Sequence, residues 1–288
     1  MLSKRLYLWL APYVLGTIIL VVVPALATAV IAFTRYTTLA PPTFVGWQNF
    51  RDLIANRYAT YALFNSLFFV LLAVPLRLFA AFFFALLLQQ KSALSGVYRT
   101  AVYIPTIIPE AAYALIWLWV FNPVYGPLNL LLATLGLPAP DWLNNPILAR
   151  LAFVILSTFQ IGEGFLLLLV GLQTIPKQLY EAAAIDGAHS AQRFWYITLP
   201  LLTPWLLILL FRDLLASLQN TFTPSYIITY GGPYYATTFI PLVVYELAFD
   251  FFEFGMAAAL LLLTYIGIGG AIWAILRLSG LAQGSYHV

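Results

Sequence analysis

The chain has 288 residues, of which 63% are hydrophobic and only 8% charged, with a formal net charge of +3. An apolar share so far above the rough half of soluble domains specifies an integral membrane protein. Cysteine is absent and the two histidines are His189 and His287, which excludes disulfides and thiol catalysis and argues against a metal site; the scattered basic residues carry no nucleic-acid footprint.

Apolar runs fall at 10–34, 62–89, 100–121, 147–172, 200–222 and 256–277. Each reaches the roughly 20 residues that a helix needs to cross a bilayer, so the chain reads as one all-α membrane domain over 1–288, a bundle of six spans. The first run follows Lys4 and Arg5 and has no Ala-x-Ala-like end. At about 25 residues it exceeds a signal-peptide core and reads as a retained first span.

The stretch "RYTTLAPPTFVGWQNFRDLI" after it is rich in proline and aromatics, and predicts an ordered extramembrane loop with a short amphipathic helix. Loops near 122–145 and 223–255 fall on the same side. Counting basic residues puts Lys4, Arg5, Lys91, Arg99, Lys177, Arg193 and Arg277 on the side of the termini, against Arg35, Arg51, Arg57 and Arg150. That bias predicts cytoplasmic termini, and the acids Asp141, Glu246, Asp250 and Glu253 in the opposite loops strengthen it. Aromatic groups such as "WLW" at 117–119 and "YGGPYY" at 230–235 fit interfacial belts. Pro24, Pro75, Pro105, Pro109 and Pro204 fall within spans, where each removes a backbone donor; Pro105 and Pro109 together offer a bend beside a pathway.

Five ionisable residues, Arg77, Glu110, Glu163, Arg212 and Asp213, fall near the middle of their spans. Charges at that depth must pair or line water. Two readings stand: internal ion pairs, Arg77 with Glu110 and Arg212 with Glu163, or a solute pathway. Arg212 and Asp213 are consecutive, so they point in different directions and at least one needs a partner on another helix. Gln160 lies three residues before Glu163 on the same helix face, and "SLQNTFTPSY" at 217–226 adds Gln219, Asn220 and Tyr226 at the end of the fifth run. Amides, hydroxyls and aromatic rings suit a neutral polyol or saccharide, and serve equally as interfacial anchors and packing contacts.

Between the fourth and fifth runs, 173–199 is not loop-like. Good helix formers occupy 178–186, Gly187 interrupts them, and a second helix-compatible stretch covers 190–198. A helix pair of this kind fits a cleft on a partner protein or lies along its own membrane domain.

"EAAAIDGA", followed by "RFWYITLPLLTP", resembles the EAA signature of the permease subunits of binding-protein-dependent ABC importers. The resemblance extends to "FVGWQNFRDL", "YIPTIIPEAAYALIWLWVFNPVYGPLN", "GLQTIPKQLYEAA" and "TYGGPYYATTFIPLVVYELAF", and is similar to the carbohydrate-uptake branch. It implies a type I importer permease: two permease subunits, here a heterodimer, form the pathway; two cytoplasmic ATP-binding subunits receive the loop; an extracytoplasmic solute-binding protein delivers the sugar. Glu181, Ala182, Ala183, Asp186, Gly187 and Ala188 would form the cytoplasmic coupling helix and its turn. Gly187 supplies the sharp turn, since glycine takes left-handed conformations cheaply. Glu163, Gln219, Asn220 and Tyr226 match stretches that line the sugar site in relatives, with Gln160, Arg77 and Glu110 as further candidates. The chain would hold no cofactor, no metal and no catalytic group, ATP being bound by its partners, and would sit among lipids in the cell membrane. Asn220, Thr221, Phe222 and Thr223 lack the aspartate that relatives often carry, and Arg77 stands where a neutral polar residue is common; both leave the sugar open. Two other classes are a secondary transporter using the midplane charges and a membrane-embedded enzyme.

Overall fold

The computed structural model describes residues 4–37, 40–90 and 93–278, so Lys91 and His287 lie outside the described residues. The chain divides into two compact units, one running to Thr60 and resuming at Val243, the other Tyr61–Leu242.

In the first unit, helix α1 covers residues 4–31 and contains a π-helical turn, Ile18–Val22, in which the N–H of Val23 donates to the carbonyl of Ile18. The widened turn comes just before Pro24, which has no N–H to continue the ladder. From Trp9 to Val30 the large side chains are exposed on every side, as suits a helix surrounded by a non-aqueous medium. An antiparallel ribbon follows, β1 (Thr34–Thr37) and β2 (Ala40–Phe44), with Thr34 opposite Phe44. This ribbon is an addition to the expected all-α fold; Pro41 and Pro42 are tolerated because a two-stranded ribbon consists only of edges. Helix α2 (Gln48–Ala55) is the expected short amphipathic helix. Its buried Asn49 donates to the carbonyls of Ala32 (2.8 Å) and Thr34 (2.9 Å), satisfying the chain where α1 turns into β1.

The unit's second segment enters through a π-helical turn, Glu246–Asp250, and closes with helix α12 (Phe254–Leu278). A side chain on Gly255 would meet the carbonyl of Thr34, so only glycine lets this helix approach the ribbon. Glu246 is buried and accepts a hydrogen bond from the Tyr58 hydroxyl. Burial pushes its carboxyl above the usual carboxylate range; the Tyr58 bond opposes that rise and nearby Asp250 adds to it.

The second unit takes up helix α3 (Arg57–Leu88) from Tyr61 onward, and the helix continues through Pro75. The third and fourth apolar runs are not single helices, which corrects the expectation from the sequence. The third is α4 (Ser95–Ile107) and α5 (Glu110–Val120), bent by 101° at Ile108 and Pro109. The fourth is α7 (Pro146–Thr158) and α8 (Gly162–Thr174), bent by 46°. Proline explains the first break, since Pro109 disfavours helical geometry at Ile108 and cannot donate. At the second break the N–H of Gly162 donates to the Thr106 hydroxyl (3.0 Å) on α4. A side chain on Gly162 would lie 2.5 Å from that hydroxyl and 3.0 Å from the Tyr103 backbone, so the two breaks are packed against each other.

Short helix α6 (Pro127–Thr134) lies in the 122–145 loop, and helix α9 (Lys177–Ile185) precedes the fifth span. That span begins earlier and ends later than 200–222: α10 is a 40-residue helical stretch, Ser190–Thr229, with π-helical turns at Phe194–Thr198 and Ser225–Thr229. The predicted second helix of the 173–199 loop is therefore the base of the span itself. Short helix α11 (Ile240–Tyr245) starts within this unit.

Two apolar clusters hold the unit together. One gathers Phe69, Tyr113, Trp117, Phe121, Phe153 and Phe239, the other Phe165, Leu168, Leu172, Leu202 and Leu209. Gly164 and Gly171 on α8 admit Leu209 and Trp205 of α10, where an added Cβ would lie 2.9 Å from either side chain. Beyond α10, Tyr230, Tyr234 and Tyr235 have φ of 46°, 48° and 61°, a left-handed geometry costing each of them about 1–2 kcal/mol. Buried Asn65 holds the loop by donating to the carbonyls of Tyr235 (2.6 Å) and Thr238 (3.0 Å), and Arg150 in turn donates to Asn65 (3.1 Å) and to the carbonyl of Ala236 (3.2 Å).

Candidate functional site

Four of the five midplane charges form one chain of alternating sign. Arg77 on α3 is 4% exposed; its Nε lies 3.3 Å from Asp213 Oδ2 and its Nη2 donates to Ser217 Oγ (2.6 Å). Asp213 also accepts from Arg212 Nη1 (3.1 Å), and Arg212 Nη2 forms an ion pair with Glu163 on α8. The chain runs outward, from buried Arg77 and Asp213 to the exposed pair Arg212 and Glu163.

Three expectations change here. Arg77 pairs with Asp213 rather than Glu110, and its burial among those partners makes it an internal tie instead of a group open to solute. Arg212 and Asp213, though consecutive, touch each other, because the long arginine side chain curls back over the helix while reaching Glu163. Gln160 lies at the break before α8, half-buried, and is not on the helix that carries Glu163. The expected Arg212–Glu163 pair is present.

Glu110 and Glu163 share a placement that the sequence did not display. Each lies in the first turn of the helix that resumes after a break, where unpaired backbone N–H groups favour a carboxylate. Glu110 is exposed and accepts a hydrogen bond from Thr223 Oγ1 (2.8 Å) on α10. Along α10, Arg212, Gln219, Thr223 and Tyr226 recur at intervals of seven, four and three residues, one face of a helix, and Tyr230 follows just beyond its end. All but half-buried Thr223 are exposed, and the rings of Phe222, Tyr226 and Tyr230 follow one another at 5.6 and 5.3 Å. From Arg212 to Tyr226 this face extends about 21 Å at 1.5 Å per residue. Asn220 is half-buried at the edge of the stripe. Ser217, which accepts from Arg77, and Thr223, which donates to Glu110, were not singled out from the sequence; the i, i+7 recurrence of Arg212, Gln219 and Tyr226 is the signal that marks the face.

At the other end of α10 the chain makes a four-residue turn. Helix α9 ends in a Schellman motif: the N–H of Ala188 donates to Ala183 (2.8 Å), that of Gly187 to Ala184 (3.1 Å), and Gly187 has φ of +81°. His189 then caps α10, accepting from the N–H of Gln192 (3.3 Å) while its own N–H donates to the Gln192 side chain (2.9 Å). Glu181, Ala182, Asp186 and Gly187 are exposed, Ala183 and Ala188 half-buried, and Ile185 is 87% exposed. Tyr180 anchors the helix from beneath, its hydroxyl 2.9 Å from Thr198 Oγ1 on α10. The result is a rigid helical turn with a bare outer face, joined to both α8 and α10.

The family described as binding-protein-dependent transport system inner membrane component matches residues 59–276. The chain belongs to this family. As a binding-protein-dependent transport component it is a multi-pass membrane protein and a permease, not an enzyme, and the secondary-transporter and membrane-enzyme readings do not fit. Among similar proteins is the trehalose/maltose transport system permease protein MalF of Thermococcus litoralis, 36% identical over 269 residues, covering 92% of this chain and 90% of MalF. The probable ABC transporter permease protein YesP of Bacillus subtilis is 34% identical, covering 91% and 86%. The sn-glycerol-3-phosphate transport system permease protein UgpA of Pectobacterium atrosepticum is 32% identical, covering 78% and 77%. A chain of a bacterial alginate ABC transporter, crystallised in complex with an alginate pentasaccharide-bound periplasmic protein, shares the permease fold. The TM-score is 0.82 at 21% identity, over 96% of this chain and 93% of that one.

Proposed function

We propose that the chain is one of two permease subunits in an ATP-driven sugar importer, with its termini in the cytoplasm. In this reading α9 and the Gly187 turn seat in a cleft of a cytoplasmic ATP-binding subunit, and the Arg212–Tyr226 face of α10, flanked by Glu110 and Glu163, forms this chain's half of the pathway. Gln219, Asn220 and Tyr226 offer amides and a phenol to sugar hydroxyls, and their neighbouring rings offer stacking surfaces. A second permease subunit faces the exposed ion pair across the pathway and shields it from lipid, a solute-binding protein delivers the sugar from outside, and ATP binds only to the partners. The observation that carries the reading is the exposed, capped turn at 186–189, continuous with the helix that bears the polar face. A push on α9 reaches that face through one unbroken helix, with Tyr180 and Thr198 tying the base.

The test is ATP hydrolysis by the assembled importer. Gly187→Pro or Glu181→Lys is expected to abolish stimulation by sugar-loaded binding protein while leaving membrane insertion unchanged. Stimulation at the unsubstituted level in both variants would overturn the coupling role.

A further inference from the structure

We infer that this chain's half of the pathway takes an uncharged saccharide and turns away anionic ones. The inference rests on the sugar-permease reading and concerns the charge of the solute.

Fixed charge along the polar face leaves an excess of acid. Between Tyr61 and Leu242 the described cations are Arg77, Arg99, Arg150, Lys177, Arg193 and Arg212. Arg99 donates to the carbonyl of Leu88 (2.7 Å), and Lys177 and Arg193 flank the Gly187 turn, so these three belong to the far end. Arg150 is committed to Asn65 and to the carbonyl of Ala236, with the rings of Phe64 and Phe68 beside it. Arg77 is buried against Asp213 and Ser217. Among the described residues only Arg212 presents a cation to the face, and two carboxylates, Glu163 and Asp213, already hold it. The four linked groups sum to zero, and Glu110, which accepts from the neutral Thr223 hydroxyl, adds one negative charge.

An anion site needs the opposite, a cation or several N–H groups without an acid in contact. Here the first turns of α5 and α8, where such N–H groups collect, each carry a carboxylate of the chain's own, Glu110 and Glu163. A carboxylated or phosphorylated sugar would meet Glu110 and Glu163 as like charges, whereas a neutral sugar meets hydrogen-bond acceptors.

Glu163 is the control point. Glu163→Gln leaves Arg212 sharing Asp213 with Arg77, so the linked groups go from zero to one net positive charge. That variant is expected to gain anionic solutes. Arg212→Gln removes the cation and is expected to exclude them further.

The experiment uses the whole importer in lipid, assembled with its partner permease and ATP-binding subunits. Retention is measured for neutral di- and tetrasaccharides and for the same sugars oxidised to uronates. The unsubstituted complex should retain at least one neutral sugar, with its uronate at least about ten-fold weaker, a gap that corresponds to one unfavourable charge contact. Glu163→Gln should narrow the ratio several-fold and Arg212→Gln should not. Equal or better retention of uronates by the unsubstituted complex, or an unchanged ratio in a Glu163→Gln complex that assembles normally, would overturn the inference. Retention of neither set, with ATP hydrolysis still stimulated by binding protein carrying another solute, would instead overturn the saccharide reading on which it stands.

Discussion

At the scale of single residues, the buried tie between Arg77 and Asp213 is the most consequential contact. Both side chains are almost wholly enclosed, so removing one leaves the other charged, desolvated and without its principal counter-charge. Arg77→Met is expected to cost about 3–5 kcal/mol and to lower the thermal midpoint of the purified complex, and Arg77→Met with Asp213→Leu to recover most of it. A double variant no more stable than the single one would show that the pair does not act as a unit. Glu246 gives a pH signature. Its native carboxyl binds a proton more tightly than an exposed one, so the native state holds more protons between the ordinary carboxylate value and the raised one. The contribution of Glu246 is therefore full at pH below the ordinary value and declines as pH rises through that window. Hydrogen exchange in 246–253 should speed up across it, and Glu246→Gln should flatten the trend.

At the scale of elements, apolar run length revealed where helices cross but not where they break. Run 100–121 contains Pro105 and Pro109, yet α4 passes through Pro105 and breaks only before Pro109. Run 147–172 has no proline after its start, and its break at Phe159–Ile161 depends on a hydroxyl from another helix meeting the Gly162 N–H, a contact no single-run pattern encodes. The Gly187 turn was legible because its signal is local: helix formers, a glycine, then a capping pattern. The Arg77 partner was not, because three carboxylates at similar depth satisfy the same pairing rule and only helix packing selects among them. The junction of the breaks can be tested at Gly162. Gly162→Ala inserts a methyl against Thr106 and the Tyr103 backbone, and is expected to destabilise by about 1–3 kcal/mol, read as a lowered thermal midpoint. An equal loss in Gly96→Ala, on helical backbone where no atom lies within 4 Å of the added carbon, would show that crowding is not the cause.

At the scale of the whole molecule, the exposed Arg212–Glu163 pair lies at mid-span on a chain whose surroundings are apolar. Leaving charges there uncovered is unfavourable by at least about 2.5 kcal/mol each, so the isolated chain is expected to accumulate poorly. Co-expression with the partner permease should raise its level in membrane fractions. Arg212→Leu with Glu163→Leu should raise the level of the chain expressed alone and abolish transport by the complex; undiminished accumulation of the unsubstituted chain alone would count against a partner covering this face.

The two π-helical turns in α10 set a rotational phase. One stands between the Gly187 turn and the polar face, and the other carries Tyr226 at the end of that face, next to the tyrosine loop. Each widens its turn by one residue relative to the regular ladder, and one residue of an α-helix corresponds to about 100° around its axis. The compass bearing of the docking turn relative to Arg212, Gln219 and Tyr226 is thus fixed by a single widened turn at Phe194–Thr198. The widened turn absorbs its extra residue without turning the two ends apart, whereas one residue added to the regular ladder between Leu199 and Arg212 would swing them by about 100°, a gear with every tooth present and the wrong alignment.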